Sequence, residues 1–553
     1  MRTIIKSSSW CTRRHRFSVV RDIVSRAAAR EPGRTDRRSP MSSETLAVPL
    51  VDQLDAFFGQ YTAAGQARGL VYGLVGPDGL AHSRGFGAAD ADDRAPDADT
   101  VFPIASITKS FVALGALLAR DRGLLDIEAP ITDFFPEWHG TVGDEPAAAP
   151  TLRQLLSMSG GLTEDNSWVD PFLGLSETEL VDRIRPGLAY SNHPGTVFEY
   201  SNIGFTMAGL AVAKAVGMRV EDWVTEEILR PLGMARTWFD NRAPDGGFHR
   251  AVGYSLDADG NWVAFPPQVS DAMAAAGGMH STINDLSIWV AFLAAATRPG
   301  GDDAIVARAT RRELQRIHQV DIPSLQARPE GTWKFVAGGY ALGLFVRHDL
   351  HRGSIVSHSG GLPGFILNIV WHASSGTGVI VLTNSHRGNP VGLSEDALLR
   401  TLSVNATPAR VVRLWPETRR LMAAADGLVR SWDDGAAAEI FADNIDFDRR
   451  LAQRRAAIDE LISQVGGLRE GSDAPEILSS ATPADVTWSL PGVRGELICM
   501  IHLTPVQPAQ IQEFEVIAVD RTVPRSARPT DISARRRAYV TPTVSSLPNT
   551  AVV

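Results

Sequence analysis

Strand-like and helical patterns are separated along one long segment of this chain, residues 45–405. Apolar runs typical of strands occur near its start and then only near its end, at 69–75, 340–346, 354–357, 365–371 and 378–383. Helical periodicity fills the interval between them, at 106–121, 151–157, 202–216, 220–230 and 283–296. This order disagrees with a regular βαβ alternation. It predicts an α+β fold in which an antiparallel sheet built from both ends of the segment is flanked by helices, with a mostly helical subdomain between the strands.

The chain has 553 residues, which exceeds the usual size of one domain, so a second unit is expected. Residues 416–466 have helical periodicity, and residues 475–520 contain a few strand-like runs. We therefore predict a small accessory α+β domain over residues 406–520. The basic stretches 1–44 and 521–553 lack a globular pattern and are predicted to be disordered.

Charge is distributed unevenly along the sequence, although the net charge is only −9. Residues 1–40 carry +8 and residues 521–553 carry +5, which leaves about −22 on residues 41–520. A body this acidic argues against a nucleic-acid partner, whose binding needs a basic face. No run of about 18 apolar residues occurs, so no membrane span is predicted.

The two cysteines, Cys11 and Cys499, lie at opposite ends of the chain and predict neither a disulfide framework nor a cysteine-based metal site. The basic start contains a pair of arginines, but the apolar run that follows it, 17–20, is too short for an export signal. A cytoplasmic protein is therefore expected. Because a globular pattern begins only after it, Met41 is an alternative start of the protein.

Common catalytic motifs are missing from the sequence. It contains no Gly-x-Ser-x-Gly nucleophile elbow, no His-Glu-x-x-His zinc motif and no Gly-Lys pair for a phosphate-binding loop. His348 and His351 are three positions apart, but a surface loop explains them better than a metal site. We therefore expect neither a metal nor a cofactor. A hydrolase with this sequence would need another arrangement of its nucleophile.

Lysine is rare in this chain, where it occurs only four times among 54 basic residues. Lys109 follows Ser106 by three positions at the start of an apolar helical run, so the two side chains share one helix face. A partly buried lysine can lose its proton near neutral pH, which arginine cannot do. Lys109 can then accept the Ser106 proton, while N–H groups at the helix start stabilise an oxyanion. The alternative is that Ser106 caps a core helix and Lys109 extends to solvent.

Two further segments place polar side chains at the junctions of predicted elements. Tyr200 and Asn202 lie between an extended apolar stretch and a predicted helix, and the segment His358-Ser-Gly-Gly follows a strand-like run. Each has a purely structural alternative. Asn202 can be a helix N-cap, Tyr200 a half-buried aromatic residue, and the glycine pair a turn.

In this order the three segments resemble the active-site elements of the serine β-lactamase and penicillin-binding-protein superfamily, which are Ser-x-x-Lys, Tyr-x-Asn and a glycine-containing triad that starts with Lys or His. Tyr-Ser-Asn and His-Ser-Gly are most similar to the class C β-lactamase-related serine hydrolases, peptidase family S12. That family includes D-aminopeptidases, D-amino-acid amidases, β-lactamase-like esterases and penicillin-binding-protein-type thioesterases. Further similar stretches lie at 151–162, 231–234 and 277–286. The resemblance covers about residues 45–405.

The resemblance implies a role for each residue of the site. Ser106 is the nucleophile that becomes acylated. Lys109 and Tyr200 share proton transfer, with Tyr200, held near-phenolate by neighbouring cations, as the base and then as the acid for the leaving group. Asn202 orients the acyl side chain, and the oxyanion rests on the backbone N–H groups of Ser106 and Gly361.

The third element departs from the β-lactamase pattern. β-Lactamases usually carry a lysine there, which pairs with the substrate carboxylate, whereas this triad consists of His358, Ser359 and Gly360. Histidine is mostly neutral at pH 7 and is a weaker anchor for a carboxylate. Efficient β-lactam hydrolysis is therefore not expected, and esters, amides or peptides with another terminal group are favoured.

These observations predict a serine hydrolase that acts on a small-molecule or peptide substrate, of the esterase or D-stereospecific peptidase or amidase type. One alternative within catalysis is a stand-alone thioesterase or peptide cyclase, whose partner would be a carrier protein. An alternative from another class is a catalytically silent penicillin-binding-like sensor or scaffold.

Overall fold

The structure is a computed structural model, and it describes residues 48–520 except 245, 299–302, 322–323, 328–332, 350–351, 405–412, 470–474 and 481. The segments 1–44 and 521–553, which the sequence predicts to be disordered, lie outside the described residues. So does the predicted boundary between the two domains near residue 405.

An eight-stranded sheet forms the centre of the first part of the chain. Its strands are, in chain order, β1 (Gly69–Gly76), β2 (Gly79–Gly87), β3 (Gln319–Val320), β4 (Gly338–Tyr340), β5 (Phe345–Asp349), β6 (Gly353–Leu362), β7 (Phe365–His372) and β8 (Gly378–Thr383). In space they follow the order β3-β4-β5-β6-β7-β8-β1-β2, and the pairings are antiparallel. Strand β1 pairs with β8 from Leu70–Thr383 to Val75–Gly378. The prediction of an antiparallel sheet built from both ends of the segment is confirmed.

Five longer helices accompany this sheet: α1 (Val48–Ala63), α2 (Thr108–Asp121), α3 (Asn202–Val216), α4 (Ile283–Ala294) and α5 (Pro390–Val404). Shorter helices are Leu152–Leu156, Asn166–Val169, Glu177–Ile184, Val220–Val224, Arg230–Leu232, Ala274–Gly277 and Arg308–Leu314. Among the described residues of this part of the chain, four small sheets lie outside the central one. Two have three strands each: Phe102–Pro103 with Met279–Ser281 and Trp238–Phe239, and Gly140–Val142 with Glu145–Pro146 and Leu188–Tyr190. Two have two strands each: Tyr254–Leu256 with Trp262–Ala264, and Ser324–Ala327 with Trp333–Val336. The interval between β2 and β3 is mostly helical, as the sequence predicts.

Strand β1 is covered on both faces, which explains why its residues form one continuous apolar run. Neighbouring residues of a strand point to opposite faces. The Tyr72 ring stacks on Phe58 of α1 at a centroid distance of 4.1 Å. On the other face, a Cβ atom at Gly73 would lie 2.5 Å from Ile283 of α4, so glycine allows that helix to approach closely. Helices α1 and α4 therefore flank opposite faces of the sheet.

Helix α2 runs through the main hydrophobic core. Its residues 108–119 are all buried, because apolar side chains recur on every side of the helix rather than along one stripe. Helix α3 packs beside it and is similarly buried. Among the described residues, no single helix is long and apolar enough to cross a membrane, and α3 passes that test only together with Val220–Leu232, across a bend of 77°.

The structure corrects three of the predicted element boundaries. The predicted strand 340–346 is two strands, β4 and β5, because the chain turns at Gly343, whose φ of +69° favours glycine. The predicted strand 354–357 continues to Leu362, so the glycine triad lies within β6 rather than after it. The predicted helix 220–230 is interrupted by a π-helical turn at Thr225–Leu229.

Residues 413–520 contain a four-stranded antiparallel sheet, β9 (Glu476–Ser479), β10 (Asp485–Pro491), β11 (Gly495–Leu503) and β12 (Ile511–Asp520), paired in chain order. Its helices are α6 (Pro416–Arg430), α7 (Asp434–Ile440), α8 (Ile445–Asp448) and α9 (Leu451–Gln464). These elements enclose a hydrophobic cluster of their own, centred on residues such as Leu421, Trp488 and Ile511. The mixture of helices and strands is of the predicted α+β type, and the limits 406–520 stay a prediction.

Candidate active site

Ser106 lies on a short 3-10 turn, Ala105–Ile107, that leads directly into α2. The residue before it, Ala105, has a φ of +47°, which alanine adopts only when the surroundings impose it. This backbone strain is located next to the residue that the sequence predicts as the nucleophile. Ser106 is half-buried and faces a cavity, whereas its neighbours Ala105 and Ile107 are buried in the core.

Lys109 lies one turn later and is completely buried. Its Nζ atom is 3.0 Å from Ser106 Oγ, 2.7 Å from Asn202 Oδ1 and 2.7 Å from the carbonyl oxygen of Ala276. A neutral amine has two N–H donors and one lone pair. The protonated amine donates to all three oxygens. In the neutral amine, donation to Asn202 and Ala276 uses both donors and leaves the lone pair for the Ser106 hydroxyl.

Burial lowers the pKa of Lys109 to about 7, because the surroundings cannot solvate an ammonium ion. The negative charge of Asp165 opposes this effect and raises the pKa. A substantial share of the lysines is therefore neutral near pH 7. The sequence-based alternative, in which Lys109 extends to solvent, is excluded by its burial.

Tyr200 immediately precedes the capping residue of α3, and its side chain hydrogen-bonds to that of Ser106. The Lys109 Nζ atom lies 5.0 Å from the centre of the Tyr200 ring. Desolvation, reinforced by Asp165, raises the pKa of the Tyr200 phenol above its ordinary value. Tyr200 is therefore a neutral phenol in the free protein, and the prediction of a near-phenolate needs correction. Among the described residues, no neighbouring cation lowers the pKa of Tyr200, and Lys109, with a pKa of about 7, is charged in only part of the molecules near neutral pH.

Asn202 is the first residue of α3, and the N-cap is Ser201, whose hydroxyl accepts from the Gly204 N–H. Asn202 is buried and uses both ends of its side chain. Its Oδ1 accepts from Lys109, and its Nδ2 donates to Asp165 at 3.0 Å and to Asn166 at 2.9 Å. These contacts fix the orientation of the amide, and with it one of the two acceptors of Lys109.

Asp165 is a buried carboxylate that the sequence reasoning missed. It accepts hydrogen bonds from the backbone N–H groups of Asn202 and Ile203 at 2.7 and 2.9 Å, and from the Ser201 hydroxyl at 3.1 Å. A carboxylate at a helix N-terminus satisfies free N–H groups and interacts favourably with the helix dipole. Asp165 therefore holds the start of α3, and the Asn202 amide with it, against Lys109.

His358 on β6 is buried, and both of its ring nitrogens are engaged. Nδ1 lies 2.6 Å from the carbonyl oxygen of Ser359, and Nε2 lies 2.9 Å from the hydroxyl of Tyr340. Because a carbonyl only accepts, Nδ1 carries the proton and Nε2 accepts from Tyr340. Burial, reinforced by Lys109, lowers the pKa of His358 to about 3. His358 is thus neutral and saturated, which agrees with the prediction that it is a poor anchor for a carboxylate.

The two glycines of the third element have different surroundings. Strand β6 pairs with β5 only up to Ser357, so residues 358–362 have a free edge on that side. At Gly360 this edge lies against the turn Ala105–Ile107, which carries Ser106 and is called the nucleophile turn below. A Cβ atom added at Gly360 would lie 2.4 Å from the Ile104 carbonyl oxygen and 3.2 Å from Ala105. At Gly361 a Cβ atom would meet nothing within 4 Å, and the residue is exposed. Gly360 therefore permits contact with the turn, and Gly361 faces the cavity.

A cavity of about 560 Å³ opens above Ser106. Its lining includes Tyr200, Asn202, His358, Gly360 and Gly361, and Lys109 contacts Ser106 from behind. The structure thus brings all seven residues predicted from the sequence to one place. In the part of the chain that the structure describes, no group of three or more His, Cys, Asp or Glu side chains is arranged to hold a metal ion.

Two further partners, besides Asp165, could not be read from the sequence. Tyr340, which saturates His358, lies on another strand, and the Ala276 carbonyl, which accepts from Lys109, is a backbone group. Asp165 stands in a loop without a motif, 37 positions before Asn202. The available signal was general: the start of a buried helix needs acceptors for its N–H groups.

Curated proteins and solved structures are similar to this chain. A penicillin-binding protein of Bacillus subtilis (strain 168) is 26% identical over 333 residues, which are 58% of this chain and 68% of that protein. Protein flp of Staphylococcus aureus (strain N315) is 26% identical over 304 residues, 55% of this chain and 56% of flp. The chain thus spans little more than half of the length of flp.

Among solved structures, the D-amino acid amidase from Ochrobactrum anthropi SV3, complexed with L-phenylalanine amide, has 25% identity and a TM-score of 0.51, covering 65% of this chain and 99% of that one. The octameric penicillin-binding protein homologue from Pyrococcus abyssi has 18% identity and a TM-score of 0.54, covering 84% of this chain and 99% of that one. At this identity the Pyrococcus likeness concerns the fold alone.

The antiparallel sheet, the helices on its faces and the serine beside a buried lysine define a serine hydrolase of the β-lactamase-related superfamily, which works through an acyl-enzyme. A family model described as Beta-lactamase matches residues 54–402, more than half of the chain. The chain belongs to the beta-lactamase family.

Proposed function

We propose that this protein cleaves ester or amide bonds of acyl or peptide substrates through an acyl-enzyme on Ser106. The observation that carries the proposal is the pair of contacts to Ser106, from the fully buried Lys109 at 3.0 Å and from the neutral Tyr200. A nucleophile in contact with a base whose pKa is near the working pH is the arrangement that serine acylation requires.

Acylation begins with transfer of the Ser106 proton to Lys109. The Ser106 oxygen forms a bond with the substrate carbonyl carbon, the carbonyl π pair moves to the oxygen, and Lys109 becomes an ammonium ion. Both the Asn202 and the Ala276 oxygens remain in contact with that ion and stabilise it. Lys109 replaces Tyr200 as the proposed base, because burial shifts the two pKa values in the directions that favour a neutral amine and a neutral phenol.

Collapse of the tetrahedral intermediate breaks the bond to the leaving group, which needs a proton. Tyr200 contacts Ser106 from the cavity, so its phenol donates that proton and recovers one from Lys109. Water then attacks the carbonyl carbon of the acyl-enzyme and gives a proton to Lys109. The bond between that carbon and Ser106 Oγ breaks, and Lys109 returns the proton to the Ser106 oxygen. The net change is the addition of water across the ester or amide bond.

The oxyanion of the intermediate is stabilised by backbone N–H groups. Ser106 supplies one at the strained turn, and Gly361 supplies the other from the free edge of β6. Gly360 makes this possible, because its missing side chain lets β6 approach the turn.

The substrate class follows from the neutrality of the third element. His358 offers no cation and no free donor to a carboxylate next to the scissile bond. Esters, amides and D-aminoacyl compounds are therefore favoured over β-lactams, and likeness to a D-amino acid amidase supports this choice. A carrier-protein thioesterase stays an untested alternative that no contact described above favours. Membership of an enzyme family argues against a silent sensor.

Rapid mixing with p-nitrophenyl butyrate tests the proposal. Wild-type protein should release about one equivalent of p-nitrophenol in a burst and then turn over steadily, because acylation precedes slower deacylation. Ser106→Ala and Lys109→Arg should lose both phases. D- and L-aminoacyl p-nitroanilides then establish stereochemical preference, and a chromogenic cephalosporin should be hydrolysed well below about 10⁶ M⁻¹s⁻¹. Equal activity of wild type and both variants would refute the Ser106 mechanism.

A further inference from the structure

A second cavity adjoins the active-site cavity. It has a volume of about 420 Å³, and three residues line both cavities: Leu173, Gly277 and Leu362. Gly277 lies against the nucleophile turn, where a Cβ atom would be 3.6 Å from the Ala105 carbonyl carbon. Leu362 ends β6 one position after Gly361. The second cavity therefore begins beside the reaction centre, and a substrate held at Ser106 can extend into it.

The walls of the second cavity are mainly apolar. They include Val252, Phe265, Pro266, Pro267 and Phe365. Such walls suit an alkyl or aryl chain, because they exclude water without offering polar partners. The same lining contains five polar residues, which are Arg250, His280, Asp240, Gln268 and Ser270.

Arg250 is the fixed positive charge of this lining. Its guanidinium lies 5.4 Å from the centre of the Trp238 ring, and the residue is exposed. Within the part of the chain that the structure describes, no carboxylate forms an ion pair with Arg250. An arginine that lies over an aromatic ring and has no ion-pair partner among the described residues is suited to bind a carboxylate.

The other polar groups of the lining form no ion pair with Arg250 in the part of the chain that the structure describes. Asp240 is the negative charge of the lining, and both of its oxygens accept hydrogen bonds from Ser270. The Nδ1 atom of His280 is buried and has no hydrogen-bond partner. Burial, reinforced by Arg250, lowers the pKa of His280 to about 4, so the ring is neutral and retains one N–H donor.

The second cavity lies on the acyl side of the scissile bond. The leaving group must be near Tyr200, which protonates it, and Tyr200 does not line the second cavity. Instead the cavity continues from Leu362, next to the Gly361 N–H that is assigned to the oxyanion. The portion of the substrate that enters it is therefore the acyl chain.

We propose that the second cavity is an acyl-chain subsite that selects acyl groups with an apolar stem and a terminal carboxylate, which Arg250 binds. The subsite rests on the proposed acyl-enzyme function. It distinguishes two positions for a substrate carboxylate: one next to the scissile bond, which His358 does not support, and one at the far end of the acyl chain.

Two esters of equal chain length test the subsite. Mono-p-nitrophenyl suberate and p-nitrophenyl octanoate differ only in a terminal carboxylate or methyl group. Wild-type protein should show a kcat/KM for the suberate at least about tenfold above that for the octanoate, and Arg250→Gln should remove this preference by raising KM while kcat stays unchanged. Arg250→Lys should retain part of it. The matched control is Arg419→Gln, an exposed arginine on α6, which changes the net charge equally and should leave the preference intact.

Hydrolysis of p-nitrophenyl butyrate should change far less in Arg250→Gln than hydrolysis of the suberate, because a butyryl group has no terminal carboxylate for Arg250 to bind. If the wild type prefers the octanoate, or if Arg250→Gln and Arg419→Gln reduce the preference equally, the subsite is refuted while the Ser106 mechanism stands. If the wild type shows no Ser106-dependent burst with butyrate, the proposed function fails, and the subsite fails with it.

Discussion

The two walls of the active-site cavity differ in the charge of their buried polar groups. On the helical wall, Lys109, Asn202 and Asp165 form a buried network that contains a carboxylate and an amine whose pKa is near 7. On the strand wall, Tyr340 and His358 are also buried and hydrogen-bonded, but both are neutral. Phe345 packs against both, with its ring centre 4.8 Å from that of Tyr340 and 5.5 Å from that of His358.

The difference means that proton transfer takes place on the helical wall, whereas the strand wall determines the shape of the cavity. Lys109 gains a positive charge during the reaction and loses it again, so it needs acceptors that stay in contact with it. The helical wall supplies them as the oxygens of Asn202 and Ala276. The strand wall supplies rigid neutral groups and a close backbone approach at Gly360. Substitutions on the helical wall should therefore change the rate and its pH dependence, whereas substitutions of the strand-wall side chains Tyr340 and His358 should mainly change stability.

The largest effect is expected for Lys109→Met, which keeps the length of the side chain but cannot accept a proton. We expect kcat for p-nitrophenyl butyrate to fall by about 10³-fold or more, as for other catalytic groups that act as a unit. Lys214→Met is the matched control, because Lys214 is exposed and donates to the Phe134 carbonyl away from the site. A loss below tenfold in Lys109→Met, with a folded protein by circular dichroism, would contradict the role of base.

Asp165→Asn should lower kcat/KM by about tenfold and change its pH profile. The rate requires neutral Lys109, so the acid limb of the wild-type profile should lie near pH 7. The Asp165 charge raises the pKa of Lys109, and its removal should therefore move the acid limb to lower pH. The control is Asp285→Asn, a buried carboxylate that accepts from Arg236 and Thr237 elsewhere in the fold. It should lose stability without moving the limb, and an equal movement in both variants would argue against a specific role of Asp165.

Gly360→Ala tests the strand wall. The added methyl group would lie 2.4 Å from the Ile104 carbonyl oxygen, so either β6 or the nucleophile turn must move. We expect a loss of about 1–3 kcal/mol in the free energy of unfolding by urea, the range for overpacking. Gly361→Ala adds the same methyl group in open space and should change stability by less than about 0.5 kcal/mol. Equal stability of the two variants would show that β6 does not press on the turn.

The smallest effect is expected for Tyr340→Phe. Loss of the hydroxyl leaves His358 Nε2 without its donor in a buried position, which should cost about 1 kcal/mol of stability. Steady-state turnover of p-nitrophenyl butyrate should stay within about threefold of the wild type, because His358 carries no charge that the reaction uses. A tenfold loss of kcat would place the strand wall in the proton relay and remove the distinction between the walls.

The sequence predicts the parts of the fold that depend on local pattern. Strand β8, Gly378–Thr383, has its predicted limits because six consecutive buried residues leave no choice of face. Helices α2 and α3 follow their apolar periodicity in the same way. Predictions were wrong where one residue changes the direction of the chain, as at Gly343, or where small polar residues continue a strand, as in β6 through Ser359 and Gly360.

In the active site, too, the local contacts could be predicted from the sequence and the effects of distant segments could not. The Ser106–Lys109 contact is local, since three positions on a helix start fix it, and the spacing predicts it well. The pKa values of Lys109 and Tyr200 depend on burial by distant segments, which spacing does not contain. The expected phenolate was for that reason wrong, and Asp165 and Tyr340 were missed.

The pairing of β1 with β8 also governs when the protein can acquire its structure during synthesis. Leu70 pairs with Thr383, and the turn that carries Ser106 leaves the ribosome long before its neighbour on β6. At typical rates of elongation the β1–β2 hairpin waits about 15–60 s for its partner strand. During that interval the edge of β1 that later pairs with β8 has no partner, so the sheet is completed only after the C-terminal strand has been synthesised.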